Sequence, residues 1–232
     1  RPLHIKGGAS HILREVLTKR EFLLICDDLN KLEQPMVRHY SSGTLHAQNI
    51  DRVRASFREI SQEIRQTWRT QHVWFDGSLS LEGSGIGSHF DISDNFILQQ
   101  SGRRMWRLHA PDIIPDRTKR DRCLGIVTDA SIDMPENHMV FELEPGDLLY
   151  IPLLWIHEGI TTQESVSLSL AFPIDSPLDI FINILRRELT TERLWWSPVP
   201  IAPHGDCEAT INLEGETDAY FEQLLSSLHS PR

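Results

Sequence analysis

Between Val73 and Leu170 the chain is a succession of short β-prone runs, each closed by Gly, Pro, Asp or Ser. The runs are Val73-Trp74-Phe75, Ser78-Leu79-Ser80-Leu81, Asn95-Phe96-Ile97-Leu98, Met105-Trp106-Arg107-Leu108, Val140-Phe141-Glu142-Leu143, Leu148-Leu149-Tyr150-Ile151 and Val166-Ser167-Leu168-Ser169-Leu170. Short strands separated by turn residues fold as an antiparallel barrel or sandwich. One polar stretch, about His109 to His138, interrupts the series. With Pro111, Pro115 and many charges it reads as an inserted loop, with a short strand over Gly125–Thr128.

Helical periodicity brackets this core. Ser10 is placed to cap a short helix running to Lys19. After Thr44, the residues Ile50, Val53, Phe57, Ile60, Ile64 and Trp68 recur at spacings of three and four, an apolar stripe that faces a core. Leu3–Ile5 reads as an edge strand. Beyond Pro177, the residues Ile180, Phe181, Ile184, Leu185 and Leu189 again fall at helical spacing. Pro198, Pro200, Pro203 and Gly205 then form a loop, and an amphipathic piece spans Ala219 to Leu228. The expected organisation is a β domain with N-terminal helical elements over 1–175 and a C-terminal helical extension over 176–232.

The 232 residues, 40% of them hydrophobic, suffice for one large domain with a small appendage. No apolar run approaches the roughly 18 residues of a membrane span. The net charge of −10 argues against general nucleic-acid binding, which draws its affinity from clustered Lys and Arg. It accords with a cationic substrate, although a well-solvated surface is the commoner cause. Cys26, Cys123 and Cys207 are far apart and form no C-x-x-C pair, which points to a reducing, cytoplasmic setting. The chain opens on Arg1-Pro2 rather than Met, which reads as a truncated start.

The feature richest in chemistry is Gly87-Ser88-His89-Phe90-Asp91, answered downstream by Trp155-Ile156-His157-Glu158-Gly159. A His and a carboxylate two apart on a strand point to the same face. A second His from a later strand completes a triangular face around a metal, leaving positions open for chemistry. An isolated H-x-D is weak, and zinc sites share these ligand types. Its context is more telling. Ser84-Gly85-Ile86-Gly87 permits a tight turn before the first ligand, and the turn Glu144-Pro145-Gly146-Asp147 precedes the strand leading to the second.

Three blocks resemble the JmjC/cupin oxygenases, and especially the bacterial ribosomal oxygenases of the arginine-hydroxylase type. They are His89 to Gln99, Gly102 to Arg107, and Glu142 to Pro152 leading to His157-Glu158-Gly159. The similarity runs from about Gly77 to Phe172. It implies a double-stranded β-helix (the cupin or JmjC jelly roll) with flanking helices, and a dioxygenase using Fe(II), 2-oxoglutarate and O2. His89, Asp91 and His157 take the place of the iron ligands, and Arg104 that of the basic residue holding the 2-oxoglutarate carboxylate. A guanidinium fork matches a carboxylate bidentately. Arg103 and Arg107 compete for this role; by alternation they share one face with Met105, and Arg104 shares the other with Trp106. Ser78, Ser80 and Ser169 are candidates to reach the same carboxylate, each weighed evenly against a solvent-facing strand residue.

The resemblance further implies hydroxylation of an unactivated C–H, on an amino-acid side chain of a protein or peptide or on an amino-acid-like metabolite, and homodimerisation through the terminal helices. The rival is a zinc or manganese cupin acting as hydrolase or isomerase. A buried Arg104 facing the metal would disfavour it. Trp106, Trp155 and Trp196 are candidate channel walls, and Asp94, Glu158 and Asp147 candidate recruiters of a basic target, Asp147 more naturally a turn residue. His109, His138 and His204 read as ordinary surface histidines.

Overall fold

The computed structural model describes residues 1–13, 16–32, 36–68, 72–127, 130–173 and 177–189. The chain divides into two compact units, Arg1–Ser176 and Pro177–Arg232. The first unit begins with β1 (Leu3–Ile5), α1 (Lys19–Leu29), β2 (Val37–Tyr40), β3 (Thr44–Ala47), α2 (Ala55–Trp68) and β4 (Trp74–Ser80). It continues with β5 (His89–Phe90), β6 (Ser93–His109), α3 (Asp116–Cys123), β7 (Met139–Leu143), β8 (Leu148–Ile151) and β9 (Ile156–Pro173). In the second unit, α4 spans Pro177–Leu189, where the apolar spacing after Pro177 predicts a helix. Ala219 to Leu228, Trp196, His204 and Cys207 lie outside the described residues.

The nine strands pair in the order β1-β8-β6-β9-β4-β3-β2, with β5 added to β9 and β7 to β6. Every pairing is antiparallel. Two strands are far longer than the sequence suggests. Asn95–Leu98 and Met105–Leu108 are parts of one strand, β6, and Val166–Leu170 is the second half of β9. The turn-like Gln100-Ser101-Gly102 does not end β6, because it is absorbed as a bulge with register shifts between Gln99 and Arg104. Gly102 sits at φ 65°, and a Cβ there would lie 2.0 Å from the Glu164 carbonyl oxygen.

Alternation along these strands divides apolar from polar. Phe75 and Leu79 of β4 and Val166, Leu168 and Leu170 of β9 face Phe22, Ile25 and Leu29 of α1 and Phe57 of α2, forming the main core. The opposite face carries Asp76, Ser78, Ser167 and Ser169, which line an internal cavity. The serines of these Ser-rich strands therefore point inward, into a polar pocket. A second core cluster of Ile97, Trp106, Leu108, Leu143, Leu149 and Ile151 fills another part of the inner face.

Several expectations are corrected. Ser10 caps no helix to Lys19; it lies in a 3-10 turn, its hydroxyl donating to the Gly7 carbonyl at 2.8 Å. The helix starts after Thr18, where Thr18 and Glu21 form a reciprocal capping box. The residues after Thr44 first make strand β3 and a 3-10 turn before α2 begins at Ala55. Ile50 and Phe57 are core as expected, but Trp68 is 69% exposed at the helix end. The insert after His109 contains α3, a helix with no buried residue and hence no apolar period to betray it. Residues 125–127 form no strand. His109 is buried rather than at the surface, its Nδ1 2.7 Å from the Ala110 carbonyl.

Phe22 is fully buried between α1 and the sheet. Phe22→Ala is expected to destabilise the fold by roughly 3–5 kcal/mol, the usual cost of emptying an aromatic site. Urea denaturation followed by circular dichroism checks this; a loss below about 1 kcal/mol would mean that α1 is not part of the cooperative core.

Candidate metal centre

The two-residue strand β5 pairs with the start of β9, in a register that sets His89 directly opposite His157. The two imidazole centroids are 4.3 Å apart. Asp91 follows one residue past the strand, its Oδ2 3.5 Å from His157 Nε2 and 4.0 Å from His89 Nε2. Ligand atoms of all three residues lie within 4.8 Å of one another.

Each ring is held by its own backbone. His89 Nδ1 is 3.0 Å from the Gly87 carbonyl, and His157 Nδ1 is 2.9 Å from the Trp155 carbonyl. A carbonyl can only accept, so both Nδ1 atoms carry a proton, and each Nε2 is turned toward Asp91. Asn95 orients the carboxylate, its Nδ2 donating to Asp91 Oδ2 at 3.0 Å. The Asn95 amide oxygen accepts from the Ser93 and Ser169 hydroxyls at 3.3 and 3.4 Å, which fixes which way the amide faces. The Asp91 backbone carbonyl accepts from Leu154 N at 2.9 Å. Leu154 holds a left-handed φ of 62° in the turn before His157.

The electrostatics suit metal binding at neutral pH. Burial opposes ionisation of Asp91, but the hydrogen bond and charge of His157, with the charges of His89 and Arg122, hold its carboxyl well below the usual range. Burial, with His157 alongside, pushes the His89 imidazole down to about 4. A carboxylate and a neutral imidazole are the forms that ligate.

Arg104 projects from β6 into the same cavity and is only 4% exposed. Its Nη1 donates to Ser78 Oγ at 2.8 Å and its Nη2 to the Gly159 carbonyl at 3.2 Å, while Nε has no partner. The guanidinium carbon lies 5.0 Å from the centroid of the Trp106 ring. Burial lowers its pKa to about 10, and no carboxylate pairs with it among the described residues. Gly159 makes room for it: a Cβ there would stand 2.6 Å from Arg104 Nε.

The other two arginines point elsewhere. Arg103 pairs with Glu144 at 2.8 Å on the exposed face, and Arg107 pairs with Glu158. Ser78 and Ser169 line the cavity. Ser80 is fully buried further along β4, where it accepts from the Thr44 hydroxyl at 3.1 Å. Trp106 walls the cavity with its ring 6.0 Å from that of His157, whereas Trp155 packs against the second core cluster. The acidic candidates are engaged internally. Asp94 accepts from the Tyr150 hydroxyl and Leu153 N, Glu158 binds Arg107, and Asp147 ties Gly7 and His4 to its own turn.

The cavity encloses about 610 Å³, within the range of small-ligand sites. It also takes in residues that the motifs did not indicate, notably Asn95, His46, Arg38 and Arg122. His46 lies across the sheet from Ser78, and burial pushes its imidazole down to about 4. Asn95 could have been found from its place four residues after Asp91 on the strand that carries Arg104.

Known proteins share both the sequence pattern and this fold. Residues 52–179 match the family described as the JmjC domain. The chain belongs to the JmjC family. Among its JmjC relatives is the ribosomal protein uL16 3-hydroxylase of Escherichia coli, 30% identical over 187 residues, which are 75% of this chain and 43% of that protein. A bifunctional lysine-specific demethylase and histidyl-hydroxylase NO66 of Drosophila persimilis is 37% identical over 87 residues, 38% of this chain and 12% of the relative. The chain thus spans less than half the length of these curated JmjC proteins.

The fold matches the X-ray structure of E. coli ycfD with a TM-score of 0.60 at 21% identity, covering 100% of this chain and 65% of that one. The YcfD ribosomal oxygenase in complex with cobalt and 2-oxoglutarate matches at 0.58 and 21% identity, over 100% and 64% of the two chains. The jelly-roll architecture expected of a JmjC protein is therefore the one observed.

Asn95→Ala leaves His89, Asp91 and His157 in place but frees the Asp91 carboxylate. Cobalt(II) affinity, followed by visible absorbance, is expected to fall about 10- to 100-fold, the usual effect of losing a group that orients a ligand. An unchanged affinity would show that the strand alone positions Asp91.

Proposed function

We propose that this JmjC chain is an Fe(II)- and 2-oxoglutarate-dependent dioxygenase that hydroxylates an unactivated C–H bond on an amino-acid side chain of a protein or peptide. The observation that carries the reading is Arg104, a buried guanidinium with no carboxylate partner among the described residues, on the same cavity as the His-Asp-His cluster. A buried cation without a counter-charge is costly unless an anion joins it. A zinc or manganese hydrolase has no use for that anion site, whereas an oxygenase with a dicarboxylate cosubstrate requires it. Cobalt and 2-oxoglutarate in the structure of a protein of the same fold accord with this.

The residues fit both groups. His89, Asp91 and His157 would hold the iron, two neutral imidazoles and one carboxylate being the donor set of non-haem iron oxygenases. Arg104, with the Ser78 hydroxyl beside it, would take the distal carboxylate of 2-oxoglutarate, and Ser169 would contribute by fixing Asn95. When bound, iron and 2-oxoglutarate supply the oxidising chemistry, placing one oxygen of O2 in the C–H bond and the other in succinate, with loss of CO2. The chain's part is to hold the carboxylate end against Arg104, keep the imidazoles in their ligating tautomer, and exclude water with the Trp106 ring and the apolar inner face.

No helix among the described residues is long and apolar enough to cross a membrane. The free thiols Cys26 and Cys123 support a reducing, cytoplasmic setting. Exposed Leu178, Ile180, Phe181 and Ile184 on α4 support pairing of two chains through the C-terminal helical extension.

The test is succinate release from 2-oxoglutarate by the protein loaded anaerobically with Fe(II), on admitting O2. Release is expected to require Fe(II) and to be lost in His157→Ala. Arg104→Ala should raise the 2-oxoglutarate requirement about 100-fold, as the loss of a charge-assisted bidentate contact predicts. Failure of metal-loaded wild-type protein to bind 2-oxoglutarate would sink the reading and restore the zinc or manganese cupin.

A further inference from the structure

The His-Asp-His cluster and Arg104 occupy only part of the cavity, and the charges on the remainder are lopsided. Both carboxylates that line it are already committed. Asp91 is engaged by the two histidines and Asn95. Asp76 accepts from Asn49 N at 2.8 Å through Oδ1 and from Trp74 Nε1 at 3.1 Å through Oδ2. Burial, only partly offset by these bonds, lifts the Asp76 carboxyl to about 6. No cation pairs with Asp76 among the described residues, and it serves to lock the Asn49 turn to β4.

Two further guanidiniums line the same cavity, Arg122 from α3 and the exposed Arg38 from β2. Neither forms an ion pair or side-chain hydrogen bond among the described residues. The Nε of Arg122 is buried without a partner, and its charge bears on Asp91. That of Arg38 bears on His46, which burial keeps neutral above about 4. In a chain with a net charge of −10, unpaired cations gathered on one cavity are the reverse of the average surface. A buried guanidinium N–H without an acceptor is unfavourable, and an incoming anion satisfies it.

We propose that the substrate presents a carboxylate beside the carbon to be hydroxylated, and that Arg122 and Arg38 grip it. This rests on the oxygenase reading above and adds the substrate class to it. Arg104 lies deeper, already oriented by Ser78 and Gly159, and answers to the cosubstrate. Arg122 stands on the polar helix of the insert, so the element that sequence patterns read as loop carries the specificity. The carboxylate belongs either to an Asp or Glu side chain in a peptide or to a free amino acid. Both present the same chemistry to the two arginines. Of the charged groups lining the cavity among the described residues, a basic side chain would meet cations and the two engaged carboxylates.

The experiment uses protein loaded with cobalt(II) and saturated with 2-oxoglutarate, titrated by ligand-observed NMR. The probes are acetyl-Gly-X-Gly-amide peptides with X as Glu, Asp, Gln or Lys, and free L-glutamate. An acidic probe is expected to bind at least about tenfold more tightly than its Gln counterpart, as a charge-assisted contact predicts. Peptide or free acid, whichever binds, identifies the source. Arg122→Gln and Arg38→Gln are each expected to erase the difference while 2-oxoglutarate affinity moves less than about threefold, since neither contacts Arg104. Circular dichroism verifies that the variants fold. Tighter binding of the Lys or Gln peptide overturns the proposal, as does failure of every acidic probe while 2-oxoglutarate binds normally. If the two variants weaken 2-oxoglutarate as much as Arg104→Ala does, the arginines belong to the cosubstrate and the proposal is again wrong. Loss of 2-oxoglutarate binding by the wild type would instead strike the oxygenase reading.

Discussion

The antiparallel register between β6 and β9 is the constraint on which the molecule depends. Along one inner face it places Asn95, Arg104 and Trp106 from β6 against His157, Gly159 and Ser169 from β9. A slip of β6 by one residue would turn its set toward the outside and bring Phe96 and Leu98 into the cavity. The bulge at Gln99 to Arg104 lets one strand serve two purposes. Before it, β6 packs on the helical core side through Leu98; after it, the strand delivers a charged residue to the interior.

This register produces an interior built for charge rather than for packing alone. Polar residues face inward along β4 and β9 because α1 and α2 seal the opposite face with Phe22, Ile25, Leu29 and Phe57. The cavity can then hold ionised groups out of bulk water, where each interaction between them is stronger. Asp91, only partly buried, remains ionised with His157 and His89 flanking it. Arg104 has no carboxylate partner among the described residues.

How far the sequence announces this depends on the kind of signal. The His-Asp-His cluster is legible in His89-Phe90-Asp91 and His157 because strand alternation brings an H-x-D pair to one face. Alternation also separates Arg104 from Arg103 and Arg107, and the structure places these side chains on the faces so deduced. The first helix is misplaced when Ser10 is read as its cap, because the capping box that the chain uses is Thr18-x-x-Glu21. The α3 segment reads as loop because a helix that buries nothing leaves no period. Arg122 escapes notice for a different reason: it reaches the cavity from the insert, across the fold, and no local pattern encodes that approach. The residues after 189 lie outside the described part of the structure, so the amphipathic piece at Ala219 to Leu228 stands as a sequence expectation only.

The tethering of both imidazoles to carbonyls two residues behind them bears on how the site is filled. A free histidine side chain samples several rotamers, and fixing one costs of order 1 kcal/mol in entropy. Here that loss is incurred during folding, when β5 pairs with β9, and not when an ion arrives. The approach to His157 adds a Leu154 held in the left-handed region, a conformation that only a surrounding structure sustains. A site with so little slack favours the ion whose preferred coordination its donors already match.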